Sequence, residues 1–380
     1  MQDLNDEQKY QLAFNHFQKF GPIKMLLIEN YFPDLRTAFY SPVIGLEKAG
    51  LGPNLVKKFI AWRESFSLED CLNELEKENI KIITWHDQEY PRLLLEIHAP
   101  PPLLYYIGDI NTLSPKRDFL AVVGSREHSA YANKIVSELI KPLIKEKIII
   151  VSGLAYGVDT LAHQETLLNQ GQTIAVLGCG LSADIIYPYN NRRLAEEIIN
   201  NNGLLLSEFP PKTEPLKMNF PQRNRIISGL CQATLVIESK NKSGSLITAY
   251  QALDQNREVL AVPGNIFSEF SQGPNNLIKK GAKVILAAED ILEIFMGTGL
   301  IKKKHKRQIK NSHSVELLLE NGAEKSVYKI IKTASERNEK INSDEIVKNS
   351  KLDTATINST LSILEIKDLI KNEFGNYLLL

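Results

Sequence analysis

The sequence predicts an α/β protein: an extended Rossmann-like, doubly wound, mostly parallel sheet, with a small all-α N-terminal module and a C-terminal winged helix. Three observations lead there. From Phe119 onward short apolar runs alternate with helical stretches, and each run is hydrophobic throughout, as strands covered on both faces must be. Before about residue 80 the pattern is amphipathic and helical, broken by short turns. After residue 313 three helical patterns precede two short strands around a Phe374-Gly375-Asn376 turn.

Residues 1–80 form the helical module, of helix-hairpin-helix or SAM-like type. Its sharpest feature is the Gly50-Leu51-Gly52 turn between two helical stretches, a geometry that can offer backbone N–H groups to a DNA phosphate or simply close a small helical bundle. A connector rich in proline (Pro91, Pro100, Pro101, Pro102) leads to Leu103–Ile107, read as an edge strand because proline cannot donate to a ladder. The core spans 85–295. Its strands are expected at Phe119–Val123, Ile148–Ser152, Thr173–Gly178, Leu204–Ser207, Thr234–Glu238, Glu258–Val262 and Lys283–Leu286. Helices are expected between them, near 129–145, 157–169, 190–201, 221–230, 245–256 and 275–280. A linker at 296–313 and the winged helix at 314–380 complete the chain.

The charges balance over the whole chain, 45 basic against 45 acidic residues, but not along it. Residues 1–116 carry 12 basic and 16 acidic residues, 117–295 carry 18 of each, and 314–380 carry 9 and 11. Six basic residues and no acidic one fall between 296 and 313 (Lys302, Lys303, Lys304, Lys306, Arg307 and Lys310), as in a flexible, extended linker or a basic arm. The longest apolar runs fall short of the ~20 residues of a membrane helix, and the N-terminus is acidic and polar, so a cytoplasmic protein is expected. Three scattered cysteines, Cys71, Cys179 and Cys231, form neither a disulfide framework nor a zinc motif. The exposed face of the third C-terminal helix (Thr354, Thr356, Asn358, Ser359, Ser362) lacks phosphate-neutralising cations, so duplex DNA would be held weakly if at all, and protein contact suits it better.

In a doubly wound sheet ligands bind beyond the carboxyl ends of the strands, so the residues there read together. They are Gly124-Ser125-Arg126, Ser152-Gly153, Gly178-Cys179-Gly180, Ser243-Gly244-Ser245 and Pro263-Gly264-Asn265. Recurrent glycine and serine at strand-to-helix turns bare backbone N–H groups that suit phosphate, and Arg126 adds a charged fork. No Gly-x-x-x-x-Gly-Lys-Ser/Thr loop and no Gly-x-Gly-x-x-Gly fingerprint occurs, so neither ATP nor a dinucleotide cofactor is expected. Arg192, Arg193, Asn224 and Arg225, with Arg223, extend the polar series, and Tyr156, Tyr187, Tyr189 and Phe220 lie among them as single-stranded bases would need. Core packing is the simpler role for Tyr187 and Phe220, and Arg192 and Arg193 suit a solvated helix start equally well. Asp159 and His163, four apart on one helix face, read as a structural hydrogen-bonding pair without a third metal ligand. Glu208 and Glu238 have the chemistry of a general acid and base, and equally that of anchors for an amide or an arginine.

Several motifs, in order, identify the chain as similar to the DprA/Smf family of bacterial DNA-processing proteins. They are Val123-Gly124-Ser125-Arg126, Ser152-Gly153-Leu154-Ala155 with Gly157, Asp159, Ala162 and His163, Ala175-Val176-Leu177-Gly178 with Gly180-Leu181 and Tyr187-Pro188, and Ser207-Glu208. Phe220-Pro221 with Arg223-Asn224-Arg225-Ile226-Ile227-Ser228-Gly229, Ser243-Gly244-Ser245-Leu246-Ile247-Thr248-Ala249 and Ala261-Val262-Pro263-Gly264 follow. The resemblance covers roughly 85–295. It implies a homodimeric, non-enzymatic protein that binds single-stranded DNA entering by natural transformation, protects it and loads RecA recombinase onto it, with no cofactor, metal or membrane. It carries the family's DNA-contacting arginine to Arg126 and a basic position after Tyr187-Pro188 to Arg192 or Arg193. Departures stand at Ser239, where relatives commonly have alanine, and at Pro274, where a smaller residue is usual. The rival expectation is a Rossmann-like nucleoside-monophosphate phosphoribohydrolase, whose Pro-Gly-Gly-x-Gly-Thr turn is replaced here by Ser243–Ala249.

Overall fold

The computed structural model describes residues 2–296, 319, 321–336, 341–350, 352–367, 369–373 and 375–379. The chain divides into two compact units, Met1–Ile301 and Lys302–Leu380. The basic linker expected at 296–313 lies, beyond Met296, outside the described residues.

The first unit opens with six helices, α1 (Asp6–His16), α2 (Pro22–Tyr31), α3 (Leu35–Tyr40), α4 (Val43–Lys48), α5 (Pro53–Ser65) and α6 (Leu68–Lys77). Local chemistry starts several of them: Asn5 and Gln8 form a capping box on α1, Asp34 and Ser67 cap α3 and α6, and prolines stand at the first turns of α2 and α5. Their centre is aromatic. The Phe59 ring lies 5.4 Å from Phe14, 5.3 Å from Phe17, 5.0 Å from Phe20 and 5.7 Å from Phe39, and Phe59 is fully buried. The Gly50 turn between α4 and α5 has φ +92, a conformation that glycine adopts without strain.

A nine-stranded sheet follows, in the order β1-β2-β6-β5-β4-β3-β7-β8-β9. The strands are β1 (Lys81–Thr84), β2 (Leu103–Gly108), β3 (Phe119–Val123), β4 (Ile149–Ser152), β5 (Thr173–Val176), β6 (Leu204–Ser207), β7 (Ala233–Val236), β8 (Glu258–Ala261) and β9 (Lys283–Val284). From β6 to β9 every pairing is parallel, whereas β1, β2 and β6 pair antiparallel. One expectation is corrected here. The strand at Leu103 is not the edge: it pairs on both sides, with β1 outside it. The prolines end at Pro102, so Leu103–Gly108 keeps its N–H groups free to serve two neighbours.

The helices of this part are α7 (Arg92–Leu95), α8 (Ala130–Lys145), α9 (Val158–Leu168), α10 (Arg192–Asn200), α11 (Asn219–Gly229), α12 (Gly244–Asp254), α13 (Gln272–Lys279) and α14 (Ala288–Met296). Alternate strand residues divide the core between two faces. Leu120, Val122, Ile150, Leu235 and Leu260 pack against α8, α9 and α14, while Ala121, Val123, Val151, Val236 and Ala261 pack against α11, α12 and the helical module. Gln11 Nε2 donates to Pro102 O at 2.8 Å and Tyr105 Oη to Asn15 Oδ1 at 2.8 Å, which fixes α1 against β2.

The second unit contains α15 (Gly322–Glu336), β10 (Ile341–Asn342), α16 (Ser343–Asn349), α17 (Thr354–Ile366), β11 (Ile370–Glu373) and β12 (Asn376–Leu379). Its strands form an antiparallel sheet in the order β10-β12-β11. Val327, Ile331, Ile346, Ile357, Leu361 and Leu364 form its core. Among the described residues no helix is long and apolar enough to cross a membrane.

Removing the ring at the centre of the helical module leaves a cavity bordered by four other phenylalanines. Phe59→Ala is expected to cost the first unit ~3–5 kcal/mol, seen as a lower midpoint in its thermal unfolding.

Candidate nucleic-acid interface

The sheet order places a topological switch between β3 and β7. From β3 the chain moves through α8 and α9 to β4 and β5 on one side, whereas β7 continues through α12 to β8 on the other. The helices leave the two neighbouring strands on opposite faces and open a crevice at their carboxyl ends. A cavity of about 670 Å³ lies there. It is lined by Val123–Glu127 after β3, by Lys240 and Lys242–Ser245 after β7, by Phe220, Pro221, Arg223 and Asn224 of α11, and by Ala155, Asp159, Tyr187, Pro215, Lys217, Ile227 and Thr248.

Close backbone packing forms the wall. Ser125 N donates to Glu238 O at 2.7 Å and Val158 N to Ser125 O at 3.1 Å, so the turn after β3 is held from both sides. Gly157 (φ +78) sits so close that a Cβ would lie 2.2 Å from Ser125 O, which excludes any side chain there. Ser243 Oγ caps α12 by accepting from Ser245 N, and Ser245 Oγ lies 3.0 Å from Ser239 Oγ. Asn224 Nδ2 donates to Gly244 O at 3.3 Å, joining α11 to α12 across the cavity.

Five cationic side chains line the cavity (Arg126, Lys217, Arg223, Lys240, Lys242) against two acidic ones (Glu127, Asp159). A chain of net charge zero thus carries a locally positive crevice, and the N-terminus of α12, whose first turn lines it, adds to that potential. Arg126 is exposed, has no carboxylate partner among the described residues, and holds its guanidinium 5.6 Å from the centre of the Phe220 ring. Phe220 is half-buried and Tyr187 exposed, and their rings stand 5.8 Å apart at 55°. Core packing is therefore not the role of either ring: both face the cavity.

Arg223 is almost fully buried and donates to Gly153 O at 2.8 Å and to Val176 O. Burial pushes its guanidinium down to about 10, with Asp159 opposing that shift. Burial also pushes the Asp159 carboxyl up, against the field of Arg223 and the N–H groups of Ala155 and Gly153.

The family of DNA recombination-mediator protein A matches residues 81–296, more than half of the chain. The chain belongs to the DprA/Smf family. Protein Smf of Synechocystis is 38% identical over 308 residues, which cover 80% of this chain and 77% of that protein. DNA processing protein DprA of Streptococcus pneumoniae is 44% identical over 231 residues, 60% of this chain and 79% of that protein. The X-ray structure of Streptococcus pneumoniae DprA superposes with a TM-score of 0.64 at 35% identity, covering 77% of this chain and 98% of that one. A Helicobacter pylori DNA processing protein A structure, described for its single-stranded DNA binding mode, gives 0.51 at 30%, covering 57% of this chain and 97% of that one.

The DprA/Smf cavity brings together Gly124, Ser125, Arg126, Asn224, Ser243, Gly244 and Ser245 of the residues read from the sequence. The others stand elsewhere. Ser152 is fully buried and donates from Oγ to Val122 O at 2.7 Å, and Gly153 packs under Arg223, whose guanidinium leaves no room for a Cβ. Arg225 is turned away from the cavity, ion-paired with the buried Glu208 and bonded to Ala99 O at 2.7 Å. Arg192 donates to Ile186 O at 3.0 Å and stacks 4.6 Å over Tyr189, while Arg193 pairs with Glu197 at 3.1 Å along its own helix; neither lines the cavity. Lys217, Lys240 and Lys242 were missed. The signal for two of them was available: lysines between the end of β7 and the Ser243-Gly244-Ser245 turn lie at the switch point as surely as the glycine does.

Glu238 accepts from Ser129 N at 2.9 Å and from Ser129 Oγ at 2.5 Å, so its carboxylate holds the start of α8. Asp159 accepts from Gly153 N at 3.0 Å and Ala155 N at 3.4 Å. His163 Nδ1 lies 2.7 Å from Thr173 Oγ1, which itself donates to Ile150 O, so the ring donates from Nδ1 and leaves Nε2 a buried acceptor without a partner among the described residues. Burial lowers its pKa from 6.5 to about 3, with the Arg223 charge adding to the effect. The native state holds this ring neutral. Its contribution to stability is full above pH 6.5 and is lost as the pH falls through that value toward 3. Unfolding midpoints measured from pH 7 to pH 4 should fall more steeply for the wild type than for His163→Gln.

Proposed function

We propose that this protein binds single-stranded DNA in the crevice at the β3–β7 switch point and that its role is binding, not catalysis. Arg126 carries the reading: an exposed guanidinium with no carboxylate partner among the described residues, poised over an aromatic ring. Phosphates meet Arg126, Lys240, Lys242 and the first turn of α12, while a base stacks on Phe220 beside Tyr187. A base in a duplex is already stacked and paired, so the aromatic wall favours a single strand. The subject of the Helicobacter pylori structure supports the same ligand. The carboxylates that a phosphoribohydrolase would use are engaged elsewhere, Glu238 by Ser129 and Glu208 by Arg225.

Membership of the family extends the proposal. In that role a cytoplasmic homodimer protects DNA entering by natural transformation and passes it to RecA recombinase, with no cofactor. The second unit, read as a winged helix, exposes Thr354, Asn358, Ser359 and Ser362 along α17, an uncharged face that we assign to protein contact instead of duplex DNA.

Arg126→Ala is expected to weaken binding of a labelled oligo-dT about tenfold and to lower the slope of log affinity against log salt by about 0.7, with thermal unfolding unchanged. Anisotropy titrations at several salt concentrations measure both. An unaltered affinity and slope would remove the crevice from the reading.

A further inference from the structure

Lys240 stands at the mouth of the crevice and is held by three neighbouring loops. Its own loop follows β7. Glu127, from the loop after β3, approaches its ammonium at 3.4 Å, and Glu269, from the loop after β8, at 3.5 Å. The Phe270 ring lies under the same nitrogen at 5.2 Å. These loops are knitted together below it: Ser239 N donates to Phe270 O at 2.7 Å, and Gly273 N to Ser239 O at 2.8 Å. Asn241 Nδ2 donates to Gln272 Oε1 at 3.1 Å. Both carboxylates are largely exposed, 78% and 72% for the Glu127 and Glu269 side chains, so fold stability does not demand them. Two acids therefore converge on a cation that an anionic ligand would otherwise use freely.

We propose that Glu127 and Glu269 form an acidic clasp that selects single-stranded over duplex DNA at this crevice, a specificity that rests on the site proposed above. A single strand turns its bases toward Phe220 and threads one row of phosphates across Arg126 and Lys242. As a phosphate replaces the carboxylates on Lys240, the exposed glutamates swing outward. A duplex cannot separate its two phosphate rows in this way. When one row lies over the cations, the rigid second row is carried across the rim where the displaced carboxylates stand, and like charges meet. The clasp thus weakens both ligands and weakens the duplex more.

The test compares the full-length wild type with the Glu127→Gln, Glu269→Gln double variant, titrated against a labelled oligo-dT and a labelled duplex of the same length at one salt concentration. The single strand should tighten about threefold and the duplex about fifteenfold, so that the preference for single strand falls about fivefold. The same pair of substitutions on an Arg126→Ala, Lys240→Ala, Lys242→Ala background, which strips the crevice of the exposed cations that hold phosphate, should leave the preference unchanged, which assigns the effect to this crevice. Equal tightening of both ligands, no tightening, or a shift that persists without those three cations would overturn the clasp. A wild type that binds neither ligand would instead defeat the site itself.

Discussion

The buried guanidinium of Arg223 is the constraint on which the crevice depends. Taking such a charge out of water costs several kcal/mol unless its N–H groups find acceptors. Here the carbonyl of Gly153 just past β4 and that of Val176 at the end of β5 supply them, and Asp159 supplies the opposing charge. One side chain of α11 thereby fastens the helix to two strand ends. The first two turns of α11 carry Phe220 and Asn224, so the fastening also sets the aromatic wall beneath Arg126 and the amide that reaches Gly244. A Cβ at Gly153 would lie 2.6 Å from the guanidinium, so any larger residue there forces Arg223 to shift.

Two arginines two residues apart consequently have different work. Arg223 points inward to carbonyls, and Arg225 pairs with Glu208 and reaches Ala99 O, tying α11 to the segment before β2. Neither is free to meet DNA as Arg126 is. The affinity of a chain with no net charge has to come from such local differences. Five cations and two acids share one cavity, the N-terminus of α12 faces it, and the surrounding surface offers little long-range attraction.

The parallel sheet was legible because strands covered on both faces must be apolar throughout, and Phe119–Val123 and Leu204–Ser207 coincide with the expected runs. The antiparallel margin was less so. β1 has four residues and lies close behind α6, and the prolines before Leu103 suggested an edge although they end before the ladder begins. Glycine and serine turns marked the site because they are chemically distinctive. Which arginine faces solvent is set by tertiary partners far along the chain, Gly153 for Arg223 and Glu208 for Arg225, and no local pattern carries that information. Lysines at the mouth are common residues on any surface; the turn after β7 marked Lys240 and Lys242, and the strand order sets them beside Arg126.

The central claim is that a single strand lies in this crevice with a base against its aromatic wall. Photocrosslinking of an oligonucleotide carrying a halogenated uracil to the full-length protein, with the adducts mapped by mass spectrometry, tests it most directly. The account predicts adducts at Phe220 or Tyr187 that disappear when unlabelled single strand competes. Adducts confined to the helical module or to residues 314–380 would contradict it.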